Sequence, residues 1–146
     1  MPDDFDAMVE ETHRGLDEFV KGNADPMKAL FSRREDATLA NPFGPPRRGR
    51  TEVENALEQA AAPFREGTVR YEEVSRHVTP ELAYVVEIEQ FQAKLGGSEE
   101  LSPGALRVTM IFGREDDGWR IAHRHADPIT APRPLESIVQ PHPQDH

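Results

Sequence analysis

The chain has 146 residues and no cysteine, so one domain with one core is the simplest organisation, and disulfides, thiolate metal sites and a cysteine nucleophile are excluded. A formal net charge of −10 opposes any general attraction to phosphate backbones. The one dense basic run, 47–50 (RRGR), stands beside a Pro-rich turn and reads as a solvated loop rather than a nucleic-acid patch.

The first residues (MPDDFDAMVEE) are acidic where a secretory leader would be basic, and no apolar run approaches the ~18 residues of a membrane span. A soluble, cytoplasmic protein is the expectation. Phe5, Met8, Val9, Thr12, Leu16, Phe19 and Val20 recur at three- and four-residue spacing, the apolar stripe of a first helix that Gly22 and Asn23 close. Asp25 before Pro26 reads as the N-cap of a short second helix burying Met27, Leu30 and Phe31. Residues 36–41 (DATLAN) suggest a short strand and 42–49 (PFGPPRRG) a turn-rich loop. Thr51 with Glu54 reads as a capping box that opens a third helix, with Val53, Ala56, Leu57 and Ala60 facing inward and a stop near Pro63.

From about residue 68 the period changes from 3.6 to 2. Residues 68–78, 82–93, 105–113 and 119–126 are four strand candidates, separated by turn residues at 79–81, 96–98 and 116–118. Helices first and an antiparallel sheet after them is an α+β order. From Pro128 the chain turns Pro-rich and polar. Residues 1–130 form the expected domain and 131–146 a C-terminal arm whose last six residues are expected to be disordered.

Strict alternation decides which strand residues share a face. It places Leu106, Val108, Met110 and Phe112 together, and Trp119, Ile121, His123 and His125 together. Matching apolar with apolar adds Tyr84, Val86 and Ile88 to the covered face and leaves Glu87, Glu89, Arg107, Arg120 and Arg124 on the outer one. Acid and base mixed on one sheet face are either washed by solvent or self-complementary across the two-fold axis of a homodimer. His123 and His125 are then either structural, paired to carbonyls or water, or functional at a pocket wall. The H-x-H spacing alone is weak support for a metal, which needs further ligands, and none is assigned.

The helix pair, DATLANPFGPPRRG, the third helix and LRVTMIFGREDDGWRIAHRHADP together resemble the SnoaL-like and DUF4440-type branch of the nuclear transport factor 2-like superfamily, over about residues 5–130. The resemblance implies a cone: a strongly curved antiparallel sheet wrapped around helices, with a pocket at its open end, often in a dimer. It does not imply a function, because members include ketosteroid isomerase, polyketide cyclases, dehydratases and non-catalytic proteins. Set against ketosteroid isomerase, the position of the catalytic base is Asn41, an amide that cannot take a proton at neutral pH. The helix-1 tyrosine has only Leu16 or Asp17 nearby, and the oxyanion acid falls at Thr109 or Met110. That mechanism is therefore not expected.

What the resemblance leaves is a pocket lined by Leu16, Phe19, Asn41, Phe43, Tyr84, Met110, Phe112 and Ile121, with His123, His125 and Asp127 as candidate catalytic groups. A carboxylate-oriented histidine is a workable general base. Three readings stay open. The first is a cofactor-free isomerase, cyclase or dehydratase acting on a small apolar carbonyl compound. The second is a non-catalytic binder of such a ligand. The third is a dimeric assembly domain that works through its charged sheet face.

Overall fold

The computed structural model describes residues 2–140, with side chains from residue 4 onward. Helix α1 (Pro2–Phe19) buries Phe5, Met8, Val9, Thr12 and Leu16, the stripe that its sequence period predicts. Phe5 packs edge-on against Phe112 and Trp119, with ring centroids 5.1 and 5.2 Å away. Helix α2 (Asp25–Leu30) carries Pro at its start, but its cap residue is Ala24 rather than Asp25. The Asn23 side chain does the local work instead, accepting the Asp25 N–H at 3.2 Å.

Strands β1 (Thr38–Ala40) and β2 (Arg47–Arg48) pair antiparallel, so part of the basic run expected as loop forms a two-residue edge strand. Helix α3 (Arg50–Ala61) starts from Gly49, whose φ of 90° lets the chain leave β2 directly into the helix. The capping box does not form: Thr51 lies inside the first turn, and Glu54 pairs with Arg50. Strands β3 (Phe64–Val78), β4 (Leu82–Leu95), β5 (Leu101–Glu115) and β6 (Gly118–Asp127) then run antiparallel as a meander. The full order is β2-β1-β6-β5-β4-β3, with β1 parallel to β6. The result is an α+β fold in which a curved, unclosed sheet holds the three helices on its inner face, as the resemblance implies.

One feature of β6 reverses part of the expected facing. Ile111 pairs with His123, and the next residue, Phe112, pairs with Ile121, so Ala122 is an extra residue in β6. A bulge of this kind shifts the alternation by one, so every later residue changes side. Trp119 and Ile121 point inward as expected. Beyond the bulge the inward residues are Arg124 and Ala126, while His123, His125 and Asp127 share the outer face.

Strand β4 also sits the other way from the expectation. Ala83, Val85, Glu87 and Glu89 are buried, and Tyr84, at 39% exposure, is on the outer face with Val86 and Ile88. The register explains it: Val85 stands opposite Met110, and Glu87 opposite Val108, on the face that β5 turns to the helices. Both faces of β4 carry apolar residues, so matching apolar with apolar cannot choose between them.

After β6 the chain forms one 3-10 turn (Leu135–Ile138), where Leu135 and Ile138 are exposed. The disorder expected of the last six residues concerns 141–146, which lie outside the described residues. Among the described residues no helix is long and apolar enough to cross a membrane.

Candidate functional site

The curved sheet and the helices enclose a cavity of about 80 Å³ between α1, α3, the loop after β1 and the inner faces of β4–β6. Leu16, Phe19, Leu57, Phe64, Phe91 and Leu106 give it an apolar wall, and Asn41, Pro42 and Phe43 stand at its edge. A second, smaller lobe of about 40 Å³ adjoins it, sharing Leu16, Phe19, Phe64, Phe91, Leu106 and Arg124. Arg124 is the one charged group on the main cavity wall, and Glu89 joins it in the inner lobe. Asn41, Phe43 and Ala60 also line a shallower groove outside the cavity, so the exposed Phe43 ring lies between the cavity and solvent.

Behind this wall lies a connected set of buried polar groups. Arg124 donates to both oxygens of Glu89, at 2.9 and 2.7 Å, and to the Met110 sulfur at 3.4 Å. Both partners are nearly inaccessible, with side-chain exposures of 8% and 4%. Burial works to raise the Glu89 carboxyl, but the guanidinium overcomes it and holds the group below the usual carboxylate range. Arg124 is held charged by the same partner against its own burial.

Two residues before Glu89, Glu87 meets His13 of α1 at 2.8 Å between Oε1 and Nε2. Burial pushes the Glu87 carboxyl up to about 7, with Glu89 adding to the rise and His13 opposing it. The His13 ring stacks on Tyr71, with centroids 3.7 Å apart and planes 9° from parallel. The Tyr71 hydroxyl lies 3.0 Å from the His13 carbonyl and 2.9 Å from the Asp17 carboxylate, and burial followed by Asp17 raises its ionisation well above the usual phenol range. Two carboxylates, a guanidinium and an imidazole thus occupy an otherwise apolar interior. Each buried ion costs several kcal/mol unless paired, which makes the cluster a candidate functional site.

The residues singled out from sequence divide into three sets. Leu16, Phe19, Asn41 and Phe43 line the cavity. The Asn41 side-chain oxygen also accepts the Phe43 N–H at 3.1 Å, fixing the turn at the cavity's edge. Met110, Phe112 and Ile121 are core residues on the inner face, buried under the helices. Tyr84, His123, His125 and Asp127 are on the outer face, away from the cavity that they were expected to line.

On that outer face His125 and Asp127 do pair, at 2.8 Å, and Arg107 grips the same carboxylate at 3.1 and 2.8 Å. Burial opposes it, but Arg107, the Ile129 N–H and His125 hold Asp127 down to about 2. His123 bonds Thr38 of β1 at 2.7 Å, and burial with the nearby His125 lowers its protonation. Among the described residues no group of three or more His, Cys, Asp or Glu side chains could hold a metal ion.

The sequence reading missed the polar interior. Glu87, Glu89 and Arg124 lie on the face opposite to the one that strict alternation assigns them, and His13 belongs to none of the sequence motifs. The bulge at Ala122 hid Arg124, since nothing in an alanine announces an extra residue in a strand. For the glutamates one signal was present: Ala83 and Val85 alternate with them as well as Tyr84 and Val86 do.

A curved sheet enclosing an apolar cavity with one ion pair at its wall defines a class of small pocket-bearing domains. The SnoaL-like domain profile matches residues 13–131, and the chain belongs to that family. Among curated proteins none matches the chain. Solved structures share its fold at low identity. A nuclear transport factor 2-like superfamily protein from Salmonella enterica is 18% identical over 84% of this chain and 86% of its own, with a TM-score of 0.71. A ketosteroid isomerase-like protein from Erwinia carotovora is 15% identical over 86% and 94%, with a TM-score of 0.70. A Streptomyces avermitilis protein of the same superfamily, provisionally called a dehydratase, is 19% identical over 88% and 97%, with a TM-score of 0.71. At these identities the likeness speaks to the fold alone.

Proposed function

We propose that the chain binds a small, largely apolar molecule in this cavity and holds its carbonyl oxygen against Arg124. The observation that carries the reading is the composition of the wall: apolar side chains, with the Asn41 amide at the edge and one guanidinium whose charge Glu89 already balances. A balanced pair disfavours an anion and suits a neutral acceptor such as a ketone or aldehyde, which takes a free guanidinium N–H without bringing in charge. The cavity is well below the ~300–1,000 Å³ of sites for drug-sized ligands, so the occupant is small. If the protein transforms that ligand, the chemistry is cofactor-free proton transfer at the polarised carbonyl, as in isomerisation, cyclisation or dehydration.

The test compares small ketones with hydrocarbons of the same shape. A ketone present at 100-fold its Kd stabilises the fold by about 2.7 kcal/mol, readable as a rise in Tm. Ketones are expected to bind more tightly than the matched hydrocarbons, and Leu106→Phe, which fills the cavity, is expected to abolish both. Equal binding of ketone and hydrocarbon would remove Arg124 from the reading.

A second copy of the chain covering the outer sheet face is a separate proposal, favoured by a specific pattern. Cross-strand rows put Tyr84, Ile111 and His123 side by side, then Val86, Thr109 and His125, then Glu72, Ile88, Arg107 and Asp127. An apolar centre with acid and base at one end is self-complementary under a two-fold axis. The charged members differ from those expected from sequence: Glu87, Glu89 and Arg124 are interior, and Arg120 bonds Asp117 and the Ala29 carbonyl, leaving Arg107 with Asp127.

A further inference from the structure

We propose that His13 and Glu87 share one proton and form, with Glu89, a proton-transfer site running from the solvent side of α1 to the cavity wall. The inference deepens the pocket reading by giving the ligand's carbonyl a source and sink of protons. Its test does not depend on that reading.

The geometry begins with an atom that has no partner. Glu87 Oε1 is engaged by His13, but Oε2, with the residue 1% exposed, has no hydrogen-bond partner among the described residues. Glu87 shares the buried face of β4 with Glu89 two residues on, a carboxylate fully occupied with Arg124. Two carboxylates facing each other are acceptor against acceptor, which repels; a single proton on Glu87 turns the contact into an O–H donated to Glu89. In the alternative arrangement Glu87 is ionised and the proton, exchanged through solvent, sits on the free nitrogen of His13, whose Nε2–H donates to Oε1. In both arrangements the cluster is neutral overall: the guanidinium balances Glu89, and the proton balances Glu87. Moving the proton between His13 and Glu87 therefore buries no new net charge.

The groups around the pair agree with this count. Helix α1 supplies His13 and Asp17, the latter occupied by the Tyr71 hydroxyl. Strand β3 supplies Tyr71, stacked on His13, and Glu73, paired with Arg76. Arg76 in turn bonds Asp6. Strand β4 supplies Glu89 and β6 Arg124, while β5 presents apolar Leu106, Val108 and Met110 to this face. Among the described residues no cation besides His13 bonds Glu87, and Arg124, which acts on it from further off, is taken up by Glu89, so a proton is what satisfies it. The two ends also differ in access. His13 is a quarter exposed at its side chain, whereas Glu89 lines the inner lobe of the cavity. The transfer is a displacement of protons only: solvent protonates the free nitrogen of His13, Nε2–H passes its proton to Glu87 Oε1, Glu87 O–H protonates Glu89 transiently against the hold of Arg124, and Glu89 releases that proton to the occupant. The reverse sequence removes a proton from the occupant, and no bond other than those to hydrogen forms or breaks.

The experiment uses the ligand-free full chain. Infrared difference spectroscopy across a pH titration reads protonated carboxylic acid directly, and NMR of the imidazole reads His13. The wild type is expected to show an acid C=O band at pH 6 that disappears as the pH rises through neutrality. Glu87→Gln keeps both hydrogen bonds, the amide N–H2 donating to Glu89 and its oxygen accepting from His13. It should fold, lose the band and change the His13 imidazole signals. His13→Asn should keep the band and move its midpoint. The proposal is overturned if the wild type has no acid band at pH 6, or if Glu87→Gln leaves either the band or the His13 imidazole signals unchanged. Failure of ketone binding would leave this result intact, and the converse also holds.

Discussion

Glu87 and Arg124 are the two positions where single side chains decide the most, and they respond to substitution in opposite ways. The Glu87 carboxyl lies at about 7 in the folded chain, raised by burial from the ordinary value of 4.5. The folded state therefore binds more protons than the unfolded one between these values, and stability falls as pH rises through that window. The stabilisation is fully present below pH ~4.5 and gone above pH ~7, a difference on the order of 1–3 kcal/mol. Glu87→Gln should flatten that decline, so urea midpoints of variant and wild type should diverge most near pH 8. Parallel curves from pH 5 to pH 8 would contradict the assignment. Arg124 has no such substitute. Arg124→Met leaves Glu89 buried without its cation and should cost about 3–5 kcal/mol, whereas the double change with Glu89→Gln should recover much of the loss. A double variant as unstable as the single one would show that packing around Met110, rather than charge, holds the site together.

At the scale of elements, much of the fold is legible in the sequence because period and punctuation are local signals. The stripe from Phe5 to Val20, the switch to alternation near residue 68 and the turns at 79–81, 96–98 and 116–118 all correspond to the observed elements. Facing beyond a bulge is not local in this way. Ala122 sits between two ordinary strand stretches, and only its pairing with β5 shows that the alternation shifts there. The part of the cavity wall formed by Leu16, Phe19, Asn41 and Phe43 comes from helix and loop and is legible in the sequence. Its charged part, Arg124 with Glu89, hangs on strand parity and is not. The capping box is a similar case: Thr51 and Glu54 have the right spacing, but Gly49 begins the helix two residues earlier. Thr51→Ala is accordingly expected to change stability by less than ~0.5 kcal/mol, against the ~1 kcal/mol of a true N-cap loss. Thermal unfolding of the two proteins distinguishes the cases.

For the molecule as a whole, the sheet separates two chemistries. Its inner face holds the cavity and the His13–Glu87–Glu89–Arg124 set; its outer face holds the rows around Ile111 and Ile88 and the Arg107–Asp127 pair. Tyr84 is 39% exposed, and Val86, Ile88 and Ile111 are half-buried in the single chain, so an apolar strip lies open to water. Monomeric proteins rarely keep large strips of that kind, and a second copy related by a two-fold axis would cover it while pairing Arg107 of one chain with acids of the other. Ile111→Glu puts a charge at the centre of the strip without touching the cavity. Sedimentation should then report a dimer for the wild type and a monomer for the variant. The His13–Glu87 infrared signature, on the inner face, should be unchanged. If both proteins sediment as monomers, the outer face is free in solution, and the His125–Asp127–Arg107 cluster becomes a surface in its own right. If Ile111→Glu stays dimeric, the contact lies elsewhere on the chain, with the exposed Leu135 and Ile138 of the C-terminal turn the next apolar surface to test.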